Sequence, residues 1–555
     1  MNHIDDKESS TYNDLLSKLD GYCSEDYVPM HMPGAKRNTE LFQMQNPYGI
    51  DITEIDGFDN LHHATELLAE SMKEASRIFG AEETLYLING SSAGILSAIC
   101  GATSRGDQIL VARNCHISVY HAIYMNGLYP IYFKPACDTR TGIYQGITIE
   151  EIRHEVKNHP EVKAVVLTSP TYEGNVSQIK EIAEFLHDRD IILIVDEAHG
   201  AHFHMSDTFP ESAVLQGADA VIQSIHKTLP SFTQTALLHL NGTRIDRERV
   251  KMYWNIYQTT SPSYILMAGI DRCMSILRTD GEVLFAAYVK RLKELRHRIG
   301  QLQNIQLIET DDISKIVLRV NAQRDRVSKT ESKEIKSCRQ GVSGKELYDI
   351  LLHEYHIQLE MASLEYIIAM TSVGDKQEYY DRFASALEDL DHRIEADIDK
   401  QEGNSQNQQD VKIYDIMSDS ELYHCTLISA EPQKLGAKIR RRHHVRNGHD
   451  IMSDSDRQAV IQGALQSPID VVMTPAEAIE NMHNGGNGVT GAQLVTIGET
   501  KGRISGAQVC IYPPGIPLVN PGERITEEII DLLNKGIDAG LEVMGLREGK
   551  ILCLK

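Results

Sequence analysis

Three short polar loops sit where apolar runs end, and each offers a different piece of chemistry. Lys227 closes SIHK (224–227), directly after the apolar run ADAVIQ. A lysine at the end of a buried strand loses hydration, its pKa falls, and its amine becomes able to form a Schiff base. Asp196 ends the run IILIVD and is followed by EAHG. A carboxylate there is expensive unless a cation meets it, and a protonated pyridine nitrogen is such a cation. The third loop, NGSSAG (89–94), lies between TLYLI and ILSAICGA. Its small residues let backbone approach an anion, the following helix start offers free N–H groups, and Ser91 and Ser92 add hydroxyls.

Each loop alone has a plainer reading. NGSSAG also reads as a capped turn, and Lys227 as a surface lysine. Asp196 also reads as a helix cap or as a metal ligand beside His199, His202 and His204. The stretch DEAHGAHFH lacks the helical HExxH spacing of a zinc site, so no metal is expected. Lys227 and Asp196, on successive strand units, gain meaning from one another.

The elements that must position these loops alternate short β-branched runs with helical stretches over 81–270. That pattern predicts a mainly parallel sheet covered on both faces, with its site at the carboxyl ends of the strands. Residues 1–80 read as an arm and a helix, LHHATELLAESMKEASRIFG (61–80), capped by Gly80. Residues 271–400 read as a smaller α+β domain, with KIVLRV (315–320) as a strand and SGKELYDILLHEYHIQLEMAS (343–363) as a helix and then a strand. Residues 401–470 read as a linker and an unassigned segment. Within it DIMSDS occurs at 415–420 and 450–455, and KIRRRHHVR (438–446) forms a basic run. Residues 471–555 contain a turn-rich stretch, YPPGIPLVNPGE (512–523), and end in a helix.

The chain has 555 residues, 41% of them hydrophobic and 24% charged, and a net charge of −24. This suits a globular protein of several domains. The acidity disfavours nucleic acid and anionic membrane as partners. Nine scattered cysteines without a CxxC pair argue against a disulfide framework. The polar, acidic N-terminus shows no apolar leader, and no run is long enough to span a bilayer, so a cytoplasmic protein is expected.

The stretches VDEAHGAHF, SIHKTLPSFTQTALLH and QTTSPSYILMAGID resemble the Orn/Lys/Arg decarboxylase family, which belongs to the pyridoxal 5′-phosphate (PLP) enzymes of fold type I. DITEIDGFDNLHH, RNCHISVYHAIY, TSPTYEGNVSQI, SGKELYDILLHEYHIQLEMAS and GRISGAQVCIYPPGIPLVNPGERI extend the likeness in family order over most of 30–395 and 470–530. The resemblance implies an α/β large domain on a mainly parallel seven-stranded sheet, a smaller α+β domain and a C-terminal α+β domain, in the short form without an N-terminal wing. It implies decarboxylation of lysine, arginine or ornithine to a polyamine or its precursor. Lys227 would carry PLP, Asp196 would hold the pyridinium proton, and His116 would stack on the ring. Ser91, Ser92 and Ser224 would bind the phosphate, with Ala93 beside them. His199 and His226 would flank the cofactor, and His226 or Lys227 would return a proton. Thr260 would reach the phosphate of a neighbouring subunit, which implies a homodimer or larger assembly with shared sites. Asp51, Glu54, Glu360 and Glu523 could receive the distal cation of the amino-acid substrate.

The chain departs from the family's usual pattern at Ala35, which follows Pro33-Gly34 where a histidine is usual, and at Asp56, Ala64 and Ile117. These positions leave open a different amino-acid substrate, another PLP lyase reaction, or a non-catalytic regulatory homologue.

Overall fold

A computed structural model describes residues 15–44, 46–138, 141–320, 342–363, 365–403, 469–483, 491–512, 516–538 and 542–554. The short strand β1 (Val28–Met30) is followed by seven strands that build the central sheet: β2 (Glu83–Leu87), β3 (Gln108–Ala112), β4 (Tyr129–Phe133), β5 (Val162–Thr168), β6 (Ile192–Asp196), β7 (Ala220–Gln223) and β8 (Ala236–Leu240). Their order is β2-β8-β7-β6-β5-β3-β4. Only β8 runs antiparallel to its neighbours. The inner strands are continuous apolar runs because helices cover both faces: β6, β7 and β8 are buried along almost their whole length. The fold is the α/β class the sequence predicts.

A four-stranded antiparallel sheet, β12 (Met361–Ala362), β13 (Ile367–Met370), β10 (Lys315–Val320) and β9 (Ile305–Ile308), forms the smaller layer. The helix Tyr264–Ile299 connects it to the large sheet. Strand β11 (Ile357–Leu359) pairs in parallel with β1, so the N-terminal arm is stitched to this layer. The C-terminal part holds β14 (Ala492–Thr496), β15 (Val509–Tyr512), β16 (Ile516–Val519), β17 (Glu542–Met544) and β18 (Lys550–Leu554) around the helix Glu527–Asp538, with a core of its own.

Three boundaries differ from expectation. The helix expected over 61–80 starts at Leu67, after a short 3-10 turn at Leu61–His63 whose Asn60 side chain caps it. Gly80 ends the helix in the left-handed region, φ 71°. The expected linker begins later, because the helix Gln377–Gly403 continues past 400. Part of YPPGIPLVNPGE is strand β16 rather than turn, since Ile516–Val519 pairs with β15. The DIMSDS pair and the basic run 438–446 lie outside the described residues. Among the described residues no helix is long and apolar enough to cross a membrane, and the seven described cysteines are unpaired.

Candidate active site

The carboxyl ends of β2, β3, β6 and β7 open onto one edge of the sheet, and the expected residues stand there. β6 ends at Asp196, which lies opposite Thr168 of β5 and Ile222 of β7. Asp196 is buried and accepts from the backbone N–H of Ala198 at 3.1 Å. Its second oxygen carries no protein hydrogen bond among the described residues. β7 ends at Gln223, and Ser224 begins the four-residue helix Ile225–Thr228 that carries His226 and Lys227.

Lys227 Nζ lies 3.0 Å from His199 Nε2. Burial lowers the Lys227 pKa, against the opposing pull of Asp196 and Glu360. His199 is buried and its pKa is driven well below normal, first by burial and then by the positive charges of Lys227 and Lys315. A neutral imidazole there can accept a hydrogen bond from the lysine amine through Nε2, and its Nδ1 has no partner among the described residues. His226 is anchored by Nδ1 to the Thr235 carbonyl at 2.8 Å, and burial lowers its pKa too. The three histidines after Asp196 do not converge on a metal position. His199 faces Lys227, His202 meets Asp312 at 3.1 Å, and His204 is exposed.

After β2, Asn89 precedes the helix Gly90–Ala102 without capping it by a side-chain hydrogen bond. The first amides of that helix are therefore left for an anion. Ser91 Oγ hydrogen-bonds Ser224 Oγ, which joins this helix start to the lysine-bearing turn. Ser92 is exposed and Ala93 is buried. After β3, His116 caps the helix Ile117–Asn126, accepting from Ser118 N–H at 3.3 Å and pairing with the Ser118 hydroxyl at 2.8 Å. Burial lowers its pKa, with Asp196 raising it and Lys227 lowering it further, so the three groups sense one another.

Several residues that sequence reasoning missed complete the site. The Tyr172 ring tilts against His199, with centroids 4.9 Å apart, and its hydroxyl donates to Glu360 Oε1 at 2.8 Å. Glu360 Oε2 accepts from Met32 N–H at 2.9 Å, so the arm, Tyr172 and β12 meet at this carboxylate. The arm also rests on the lysine turn itself. Gly34 N–H donates to the His226 carbonyl at 2.8 Å, and a Cβ on Gly34 would sit 2.7–2.8 Å from Thr228 and Leu229 backbone. Lys36 is buried and donates to the Pro29, His31 and Met370 carbonyls, which locks the arm to β13. Lys315 is fully buried at the start of β10, its pKa pushed down to about 8 by burial, and its Nζ is 4.0 Å from Asp312. Arg113, directly after β3, carries the same signal as Asp196, a charged residue at the end of an apolar strand.

Other expected residues lie elsewhere. Thr260 is exposed on the loop after the helix Arg247–Tyr257. Two residues before it, Gln258 accepts from Ile88 and Asn89 N–H at 3.1 and 3.0 Å, at the entrance to the helix Gly90–Ala102. Asp51 is exposed at the end of the helix Pro47–Ile50, and Glu54 lies near Tyr264, whose pKa it helps raise. Glu523 is the correction. Its two oxygens accept from Arg113 at 2.6 and 2.8 Å and from Asn520 N–H and Nδ2 at 3.1 Å each. A carboxylate offers about four lone-pair sites. All are taken, so Glu523 cannot receive a substrate ammonium as expected.

The family model for the Orn/Lys/Arg decarboxylase major domain matches residues 17–322, and that for the Orn/Lys/Arg decarboxylase C-terminal domain matches 458–545. The chain belongs to the Orn/Lys/Arg decarboxylase family. It is 28% identical to an arginine decarboxylase of Bacillus subtilis over 96% of this chain and 95% of that protein. It is 30% identical to the uncharacterized protein YaaO of the same organism, over 89% of this chain and 87% of the relative. Its fold is shared with the lysine decarboxylase of Francisella novicida, with a TM-score of 0.71 at 18% identity over 98% of this chain and 84% of that one. An aminotransferase of Bacillus subtilis, named for ureidoglycine and glyoxylate, matches at a TM-score of 0.51 and 15% identity over 67% and 94% of the two chains. The cofactor of this enzyme family is PLP, and the residues present fit it. They supply a lysine with a depressed pKa, a buried carboxylate with one oxygen unbonded by protein, and an uncapped helix start for a phosphate.

Proposed function

We propose that this chain decarboxylates a basic amino acid, with arginine the first substrate to test, through PLP carried on Lys227. The observation that carries this reading is the pairing at the strand ends: a desolvated Lys227 amine, 3.0 Å from a neutral His199, beside the buried carboxylate of Asp196. PLP supplies an electron sink for the pair of electrons left on Cα when CO2 departs. The protein's residues supply orientation and charge. Asp196 would hold a proton on the ring nitrogen with the oxygen that Ala198 leaves open. The amides at Gly90–Ala93 with the Ser91 and Ser224 hydroxyls would hold the phosphate. His116, fixed by Ser118, would lie against the ring. Lys227, its pKa lowered by burial, would serve as the amine and would return a proton to Cα, with His199 accepting its hydrogen bond. Glu360 takes the distal cation of the substrate.

The preference for arginine is supported by relatives so named that match along nearly their whole length. The exposed loop bearing Thr260, next to the phosphate-binding helix, supports a shared site in a homodimer or larger assembly. A cytoplasmic location accords with the unpaired state of the seven described cysteines. The test is release of CO2 and amine from arginine, lysine and ornithine supplied one at a time to the purified PLP-loaded protein. Turnover of one of them, lost in Lys227→Ala, is expected. A loaded protein that releases CO2 from none of them refutes the reading.

A further inference from the structure

Arg113 is the first residue after β3, three positions before His116. Its side chain is buried and forms a two-pronged ion pair with Glu523, a residue 410 positions away in the C-terminal part of the chain. Nη2 also donates to the Leu518 carbonyl at 3.4 Å, and the guanidinium lies 4.8 Å from the centre of the Tyr132 ring. The Arg113 backbone is pinned as well. Its N–H donates to the Phe133 carbonyl on β4 at 2.8 Å, and its carbonyl accepts from the Tyr120 hydroxyl at 2.8 Å. Tyr120 belongs to the helix Ile117–Asn126 that His116 caps.

The C-terminal part grips that helix a second time, since the helix Pro475–His483 packs against it. The two grips are mechanically one. Val472 N–H donates to the Gly522 carbonyl at 3.0 Å, just before Thr474 caps the helix Pro475–His483 through Glu477. Gly522 adopts φ 88°, and a Cβ there would collide with the Met473 carbonyl, so only glycine holds the turn that presents Glu523. A buried ion pair contributes less to stability than its closeness suggests, because both charges lose water. What a bidentate arginine–carboxylate fork does provide is a fixed plane and register.

We propose that Arg113 and Glu523 are positioning residues for His116. The C-terminal domain holds the loop Arg113–His116 from one side and the following helix from the other, and its docking thereby sets the orientation of His116 toward the cofactor. This inference rests on the PLP-decarboxylase reading of the Lys227 site.

The test is a double-mutant cycle on kcat in full-length, PLP-loaded protein, using Glu523→Gln, His116→Ala and both together. Glu523→Gln keeps the side-chain volume and removes the charge. It is expected to lower kcat by roughly 10- to 100-fold while KM moves by less than about threefold, and to lower kcat by less than about twofold once His116 is already alanine. Amide hydrogen exchange gives a readout independent of activity. Residues 113–120 are expected to exchange faster in Glu523→Gln, and the helix Gly90–Ala102 to stay unchanged. If Glu523→Gln does not yield folded protein, Asn520→Ala, which removes one of the four donors to Glu523, takes its place in the same cycle. Equal loss of kcat with and without His116, or unchanged exchange at 113–120, overturns the proposal. Full kcat in His116→Ala alone overturns the assigned role of His116 and this inference with it, whereas absence of turnover in the parent protein overturns the decarboxylase reading.

Discussion

Replacing Glu360 with glutamine removes one negative charge and little volume from a position two rings, Tyr172 and His199, away from the lysine. Glu360 accepts from Met32 N–H at 2.9 Å and from the Tyr172 hydroxyl at 2.8 Å, and Tyr172 lies against His199. The amide keeps one acceptor, and a hydroxyl can rotate to accept from its NH2 group, so the local packing should survive. The lost interaction with a substrate guanidinium or ammonium is a charge-assisted hydrogen bond of about 1.5–3 kcal/mol. At about 1.4 kcal/mol per tenfold, that predicts a KM for arginine raised by roughly 10- to 150-fold. A second effect has a definite sign. The Glu360 charge raises the Lys227 pKa, so its removal lowers that pKa further, and any limb of the pH–rate profile set by the Lys227 amine moves to lower pH. The assay compares kcat and KM for arginine and for citrulline, its neutral isostere. A rise in KM for arginine and none for citrulline is expected. Equal change for both would show Glu360 to be a structural peg for the arm and refute the reasoning.

Asp196→Ala is expected to lower turnover by roughly 100-fold or more while PLP still binds, since the phosphate site and Lys227 are untouched; titration with PLP alongside steady-state rates checks this. Gly34→Ala places a Cβ 2.7–2.8 Å from the Thr228 and Leu229 backbone and should destabilise by about 1–3 kcal/mol, read as a lower melting temperature together with weaker PLP retention. Glu197, buried and accepting from Ser212, Ala213 and Gln223, has its pKa pushed up to about 7 by burial. The folded state thus binds a proton more tightly than the unfolded chain. Its contribution is fully present below the ordinary glutamate value of 4.5 and is lost as pH rises through about 7, a fall of ~3 kcal/mol. Denaturant unfolding from pH 4.5 to 8 should show a flatter pH dependence for Glu197→Gln than for the parent protein.

The sheet and the charged residues at its carboxyl edge were legible because both follow from local rules. Uninterrupted β-branched runs such as IILIV require burial on both faces, and the residue that ends each run is set at the sheet's carboxyl edge. Asp196, Lys227 and the NGSSAG helix start are all of this kind. Residues joined through long-range packing were not legible. Tyr172 reaches Glu360 across 188 positions, Lys36 reaches Met370 across 334, and Arg113 reaches Glu523 across 410. No periodicity encodes such meetings. Glu523 shows the consequence: an acidic residue in a family-like stretch suggested a substrate contact, whereas three-dimensional packing gave it to an arginine. Helix ends were displaced where a short cap such as Asn60 or a continuing helix such as Gln377–Gly403 outweighed composition.

The account stands on Lys227 as the lysine that carries the cofactor, and among the described residues the buried lysines Lys36 and Lys315 are the alternatives. Borohydride reduction of the PLP-loaded protein, followed by peptide mapping by mass spectrometry, decides among them. A phosphopyridoxyl adduct on the peptide containing Lys227 is the predicted result. An adduct on Lys36 or Lys315, or none on any lysine, would contradict it.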